Sequence, residues 1–382
     1  MAEKADVVII GAGLIGLSVA YHLAAKGVRN IMVLEKEASW GQGSSGRSAG
    51  GVRLQFGHPS NIKLSQYGLD MYLHFEELFG ISASVDQCGY LFLTRDPTRW
   101  EKLLQIVAIQ QSLGVPVETL SSQEVHYRFP YVQMDALVGA TFCATDGTAD
   151  PGAVAYGFAR SCTALGVQIR NNEEATAILT NGGRVVAVKT SDGAISTPIV
   201  VNAAGPYARV VGRMIGLEIP VDPYRRQIYV TTPTDALPSR MPMTLEFETT
   251  SYLRREGASI LFGMSDPDEP SSFNTNTDQS SLAKLVDALV QWVPAMSQAS
   301  LMRGWAGLYE ITPDDSPIIG TVPGIEGIYL ANGFSGHGFM HAPGAGRALA
   351  ELIIGQSPFV DLSPFAFERF TGRRQIEEPF II

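Results

Sequence analysis

The start of the chain places the tightest constraint on its fold. Residues 8–10 form a short apolar run, and Gly11-Ala12-Gly13-Leu14-Ile15-Gly16 follows at once. A helical pattern then extends through residue 25, and a second apolar run over residues 31–34 ends in Glu35. The order is strand, glycine turn, helix, strand, acid. Gly11 permits the tight turn, Gly13 lets backbone approach a pyrophosphate, and Gly16 lets the helix pack closely on the sheet. Free N–H groups at the helix start suit the pyrophosphate, and Glu35 lies where an acid binds a ribose hydroxyl pair. This context predicts a bound dinucleotide. The competing reading is a glycine turn in an ordinary α/β domain.

At 382 residues the chain is long enough for one large or two medium domains. Its net charge of −10, with no Lys/Arg-rich block, argues against nucleic-acid binding. Cys88, Cys143 and Cys162 are isolated, with no CxxC, so neither a disulfide framework nor a metal site is expected. They read as small buried hydrophobes. The first residues carry no basic signal region, and no apolar run reaches the roughly 18 residues of a membrane span. A cytoplasmic location is expected, with peripheral attachment to a membrane electron carrier left open.

Further along, residues 60–78, 98–113 and 151–165 read as helices. Ser121 and Glu124 match a capping box, and Pro151 suits a first helical turn. Residues 167–170 and 199–202 read as buried strands, with hairpin signals at Asn181-Gly182-Gly183 and Asp192-Gly193 between them. From residue 221 to 300 the pattern becomes β-rich, over 227–232, 245–250 and 259–264, with one amphipathic helix over 282–293. Near the C-terminus two apolar strands flank a Pro-Gly turn. Asn332-Gly333-Phe334-Ser335-Gly336-His337-Gly338-Phe339-Met340 then reads as a second glycine loop, before a small-residue helix over 344–354.

Residues 41–53 form a third small-residue stretch, with Arg47 and Arg53 as its charged members. Small residues there let backbone pass close to something large, such as a dinucleotide or an isoalloxazine ring; the plain alternative is a surface loop. There is one good dinucleotide fingerprint, so a second nicotinamide pocket is not supported, and electrons are expected to come from an organic substrate. Helix N–H groups after the second glycine loop would stabilise a reduced ring anion.

The run 8–16, Glu35, Gly43-Ser44-Ser45-Gly46-Arg47, Asp146-Gly147, Asn202-Ala203-Ala204-Gly205 and Gly336-His337-Gly338-Phe339 together resemble the D-amino-acid oxidase family of flavoproteins. Within it the chain is similar to the sarcosine oxidase, glycine oxidase and dimethylglycine dehydrogenase group. Gly51-Val52-Arg53-Leu54-Gln55-Phe56, residues 89–93, 305–309, 312–314 and 364–370 resemble in particular the β subunit of dye-linked L-proline dehydrogenases.

The resemblance implies an α/β fold with an α+β insert: a Rossmann-like FAD-binding domain plus an antiparallel-sheet substrate domain, as in the glutathione-reductase-2-like fold. Residues 1–83, 145–220 and 310–382 would form the FAD domain and C-terminal tail, and residues 84–144 and 221–309 the substrate domain. It implies FAD contacts at Gly11, Gly13, Leu14, Ile15, Gly16, Glu35, Lys36, Gly43, Ser44, Ser45, Arg47, Ser48, Ala49, Gly50, Ala203, Ala204, Gly205, Gly333, Gly336, His337, Gly338, Phe339 and Met340. Arg53, His337, Tyr309 and Tyr252 are the expected catalytic or substrate-side residues.

Arg53 falls where monomeric sarcosine oxidase carries a carboxylate-binding arginine. Met340 stands in place of that enzyme's second carboxylate ligand, a lysine, and Tyr309 in place of the carboxylate-binding arginine of glycine oxidase. Leu308 and its neighbours include no cysteine, and Arg47 replaces the flavin-linked histidine of dimethylglycine dehydrogenase, so FAD is expected to be non-covalent. His337 has two readings, a histidine bonding nearby backbone or a group beside flavin or substrate. Arg254 is a pocket candidate beside Tyr252, Arg225 and Arg226 read as a surface pair, and Trp305 reads equally as core or as an aromatic wall.

The implied chemistry is oxidation of a carbon–nitrogen bond by hydride transfer to flavin N5, on L-proline or an N-methylglycine such as sarcosine. Oxygen, a quinone or a partner redox subunit would accept the electrons, and hetero- or homo-oligomers are left open. The alternatives are a flavin 2-hydroxyacid dehydrogenase and a non-catalytic FAD-bearing subunit or assembly factor.

Overall fold

The computed structural model describes residues 3–133, 135–370, 378 and 380. The outermost parts of the expected domain limits, residues 1–2, 371–377 and 381–382, lie outside these. Two large sheets organise the described residues. The first has a parallel centre in the order Ile325–Asn332, Val200–Asn202, Val7–Ile10, Ile31–Leu34, Gln168–Arg170. Val7–Ile10 and Ile31–Leu34 are buried at every position, as strands covered on both faces must be. Ala175–Asn181, Arg184–Thr190 and Ala194–Ser196 form the hairpin meander at one edge.

Helix Leu14–Ala25 is buried around most of its circumference, because helices cover it as well as the sheet. One neighbour is the helix Gly338–Ile353. A Cβ on Gly346 would collide with Ser18, and one on Gly344 would press on the Leu64 carbonyl of helix Pro59–Leu73, so the small residues seat this helix between two others.

That last helix differs from the sequence expectation. It begins at Gly338, not at residue 344, and runs through Pro343. A proline inside a helix normally orphans the carbonyl four residues earlier. Here that carbonyl is Phe339 O, and the Tyr72 hydroxyl donates to it at 2.7 Å. Gly68 gives the Met340 carbonyl room to approach helix Pro59–Leu73. The glycine loop is therefore shorter than expected, and the helix N-terminus moves toward the centre of the molecule.

The second sheet has the order Leu301–Ile311, Asp222–Thr231, Ser259–Met264, Ser251–Glu256, Met243–Glu246, Tyr90–Thr94, Gly139–Cys143, Val117–Leu120. It is antiparallel except where Met243–Glu246 pairs parallel with Tyr90–Thr94. There the two excursions of the chain, one from residues 84–144 and one from beyond 221, join edge to edge with no local turn to impose antiparallel pairing. The first strand runs on to Ile311, past the expected limit at 309. The β-rich stretch expected over 245–250 is a strand only to Glu246. Glu246 then accepts from the Thr249 N–H at 2.6 Å and closes a turn. One face of this sheet packs on helix Gln279–Val290, and the other, with Tyr90, Phe92, Ile228, Val230 and Tyr252, faces the first domain. No helix among the described residues is long and apolar enough to cross a membrane.

Candidate active site

Two adjoining clefts lie between the sheets. Leu14, Ile15, Ser44, Ser45, Arg47, Leu308 and Glu310 line both.

The first cleft is built around the glycine turn. Gly11 has φ +105°, and a Cβ there would strike the Ala203 carbonyl, while a Cβ on Gly16 would strike the Gly11 carbonyl. Backbone thus packs on backbone at the ends of two parallel strands, as the fingerprint requires. Glu35 is fixed by two amides, accepting from Ala12 N at 2.9 Å and Glu37 N at 3.0 Å. Lys36 stands 3.4 Å over the Tyr207 ring, which stacks on Phe273. Gly13, Gly43, Ala203, Ala204 and Gly205 complete the walls. A backbone cradle, an anchored acid at the strand end and an aromatic pair at the rim fit the ADP half of a dinucleotide.

The 41–53 stretch is stitched to the second sheet. Ser44 donates to Leu308 O at 2.6 Å, Arg47 donates to Ala306 O at 2.8 Å, and Trp305 Nε1 donates to Arg47 O at 3.1 Å. Ser45 accepts from Leu14 N at 3.0 Å. Part of its need for small residues is therefore internal, since a Cβ on Gly307 would press on Arg47 and one on Gly46 would collide with Gly41. Trp305 joins loop to strand by this hydrogen bond.

The second cleft is walled by side chains: Arg53, Tyr90, Arg226, Tyr252, Tyr309, Glu310 and Phe380, with Ser48, Ala49 and residues 334–336 and 338–340. The N-terminus of helix Gly338–Ile353 opens into it. Its first-turn N–H groups have no intrahelical acceptor, so the positive end of the helix faces the cleft. This suits the pyrimidine end of a flavin, and the stretch of small residues leaves room for a flat ring.

Arg226 is the side chain that sequence reading misplaced. It was expected on the surface with Arg225, but neighbours on a strand face opposite ways. Arg225 lies on the face away from the cleft and pairs with Glu269 and Asp278, both at 2.8 Å. Arg226 shares its face with Ile228, which lines the cleft. Its Nη1 donates to Arg225 O at 3.1 Å, and its guanidinium carbon lies 5.4 Å from the Tyr309 ring centre. Its Nε is buried without a partner. Its directly paired neighbour is Gly307, whose missing side chain makes room for Arg47.

Arg53 also reaches the cleft, but its nitrogens are already engaged. One donates to Gln55 O and another to Phe380 O at 2.8 Å, and the guanidinium sits 4.0 Å over Phe56. Burial holds the Tyr90, Tyr252 and Tyr309 hydroxyls above the usual phenol range, so all three are O–H donors at neutral pH. Glu310 is the acid in this lining. It accepts from Gly333 N at 3.1 Å, and burial pushes it up to about 7.

Four expected site residues do not line either cleft. Gly16, Gly50 and Gly333 act through backbone packing, and Gly333 gives its amide to Glu310. His337 caps the helix, but its ring is turned into the core, 5.4 Å from Phe56 and 4.7 Å from His341. Its ring thus lies beside the helix start, next to the backbone of Ser335, and not in the lining of either cleft. Burial drives both histidines down, His341 to about 3. Arg254 binds Ala49 O and Glu256 instead of facing the cleft. Cys143 and Cys162 are buried and Cys88 is half-buried, all with free thiols.

The sequence reading missed Arg226, Glu310, Tyr90 and Phe380. A strand traced back to Asp222 would have put Arg226 in step with Ile228 and Val230, but period alone does not say which face meets a ligand.

The family model described as FAD dependent oxidoreductase (DAO) matches residues 6–352. The chain is 29% identical to 4-methylaminobutanoate oxidase (formaldehyde-forming) of Paenarthrobacter nicotinovorans, across 96% of this chain and 46% of that protein. It is likewise 29% identical to mitochondrial dimethylglycine dehydrogenase of Rattus norvegicus, across 98% of this chain and 46% of that protein. The chain therefore spans about half the length of these curated relatives. The crystal structure of L-proline dehydrogenase from P. horikoshii superposes with a TM-score of 0.91 at 30% identity, covering 98% of this chain and all of that one.

Proposed function

Because the chain belongs to the FAD dependent oxidoreductase family, we propose that it oxidises the carbon–nitrogen bond of a small amino acid, with L-proline or an N-methylated glycine such as sarcosine as substrate. The observation that carries this reading is Arg226: a guanidinium in the cleft that pairs with no carboxylate among the described residues and has a buried Nε with no partner among them. A buried cation with spare donors suits a substrate carboxylate. Tyr252 and Tyr309 add neutral O–H donors on the same side. Arg53, held by two carbonyls, contributes positive potential rather than a free fork.

Two guanidiniums near the amine also raise the cost of an ammonium, so the cleft favours the deprotonated amine that can release hydride. When bound, FAD would supply the two-electron oxidant for loss of hydride from the carbon beside nitrogen, with the nitrogen lone pair closing the C=N bond of the imine product. The chain's own part is to orient that carbon. Arg226 and the tyrosines hold the carboxylate end, and the helix N-terminus at Gly338 would stabilise negative charge on a reduced flavin. Glu35 and the turn from Gly11 to Gly16 hold the ADP half. FAD is non-covalent in this reading, since Leu308 and Arg47 stand where related enzymes carry their flavin links. The protein is cytoplasmic and passes its electrons to oxygen, a quinone or a partner redox subunit.

Anaerobic titration of the purified flavoprotein with L-proline, sarcosine, glycine and lactate tests the reading. Bleaching of the flavin by an amine supports it, and air or dye reoxidation then separates oxidase from dehydrogenase. Bleaching by lactate alone would make it a 2-hydroxyacid dehydrogenase. A flavin that none of them reduces would point to a non-catalytic subunit and sink the proposal.

A further inference from the structure

Beyond the short helical turn Phe367–Phe370, Glu378 and Phe380 pack back on the molecule, and Phe380 lines the cleft. Glu378 is 6% exposed and Phe380 is fully buried. Glu378 accepts from Gly57 N at 2.6 Å, His58 N at 3.2 Å and Asn61 Nδ2 at 2.9 Å. These groups lie at the start of helix Pro59–Leu73, so a carboxylate is docked on the positive end of a long helix. Two residues on, the Phe380 ring lies 5.2 Å from Phe92, edge to face, and 6.0 Å from Phe247. It joins an apolar cluster supplied mostly by the second sheet, with Leu103 from the helix Pro97–Ser112, and lines the cleft beside Arg53 and Tyr90. Its carbonyl accepts from Arg53.

An anchor and a plug thus act together. The Glu378 carboxylate is held by the first domain, and the Phe380 ring closes an aromatic slot of the second. We propose that Glu378 and Phe380 form a fixed wall of the substrate cleft, setting the largest group a substrate can carry and holding the Arg53 guanidinium in place. The proposal rests on the reading of this cleft as the substrate site, and it names what limits substrate size there. Phe380 is a specificity residue and Glu378 a positioning residue.

The test uses the intact flavoprotein and two readouts. The first is hydrogen exchange at residues 57–61, where Glu378→Gln should speed exchange because one acceptor oxygen becomes an amide nitrogen that cannot accept. The second is the dissociation constant of acetate, butyrate and phenylacetate, read from perturbation of the flavin spectrum and independent of turnover. Phe380→Ala should improve phenylacetate relative to acetate by about 10-fold, and Phe380→Leu by less. A general loss of packing would weaken all three acids together, and that result overturns the proposal. So does unchanged exchange in Glu378→Gln, or an unchanged ratio of the acids in Phe380→Ala, or failure of every acid to perturb the flavin. If the ratio moves while no amine reduces the flavin, the wall stands and the amine-oxidation reading falls.

Discussion

The two clefts draw on the chain in opposite ways. The dinucleotide cleft is mostly backbone: the Gly11 and Gly16 contacts, the amides that hold Glu35, and the small residues at Ala203, Ala204 and Gly205. Its glycine turn and acid fall within residues 8–35, and residues 203–205 close on them. The substrate cleft is mostly side chain, and its parts come from residues 53, 90, 226, 252, 309 and 380. A backbone site tolerates almost no added atom, whereas a side-chain site tolerates change and adjusts its preference. Substitutions in the first should therefore remove the cofactor, and substitutions in the second should alter the substrate.

The largest effect is expected from Gly16→Ala. The added methyl would meet the Gly11 carbonyl, which cannot move without opening the turn. An overpacking cost of about 3 kcal/mol corresponds to roughly 100-fold weaker FAD binding, measured by flavin content and by titration of the apoprotein. Retention of a full complement of FAD would break the contrast outright.

Next comes Arg226→Met. Losing a charged hydrogen bond worth about 1.5–3 kcal/mol should raise KM for the amine acid by about 10–100-fold with flavin content unchanged. Arg225→Met, one residue away on the opposite face, should change KM by less than about 3-fold, because its partners are Glu269 and Asp278. Equal effects of the two would remove the argument from strand parity.

Glu35→Gln should weaken FAD by about 10-fold and leave the KM of the remaining holoenzyme alone. The amide offers one acceptor oxygen where Ala12 and Glu37 now use two.

The smallest effect concerns the histidines behind Arg53. Burial lowers the folded pKa of His341 from its ordinary 6.5 to about 3. The unfolded chain therefore binds the proton first, and stability present above about 6.5 is lost as pH falls toward 3. His341→Leu should flatten the stability curve in that window by up to about 1.4 kcal/mol per pH unit, read by urea unfolding at several pH values. A curve as steep as that of the unmodified protein would show that the ring is charged in the fold or that other groups set the acid limit.

The sequence made some of this legible and hid the rest for definite reasons. The strands at Val7–Ile10 and Ile31–Leu34, the capping box at Ser121 and Glu124, and the hairpin turn after Asn181 were readable because each is decided by residues a few positions apart. The start of the last helix was not. Its continuation through Pro343 depends on the Tyr72 hydroxyl, and nothing near Pro343 in the chain announces that partner. His337 had two readings from its glycine neighbours, and only the fold shows that its ring packs toward Phe56 and His341.

What the sequence by itself determined is the cofactor half of the molecule. A turn, a helix start and a strand end are local, and glycine spacing alone dictates where backbone can come close. Only the tertiary structure decided which arginine faces the cleft, that Arg53 is already held by carbonyls, and that Phe380 closes the far wall. Those facts depend on which face of a sheet is covered and on contacts between residues more than 300 positions apart, such as Arg53 with Phe380. Such contacts leave no periodic trace in the chain, because they are made by folding and not by neighbourhood.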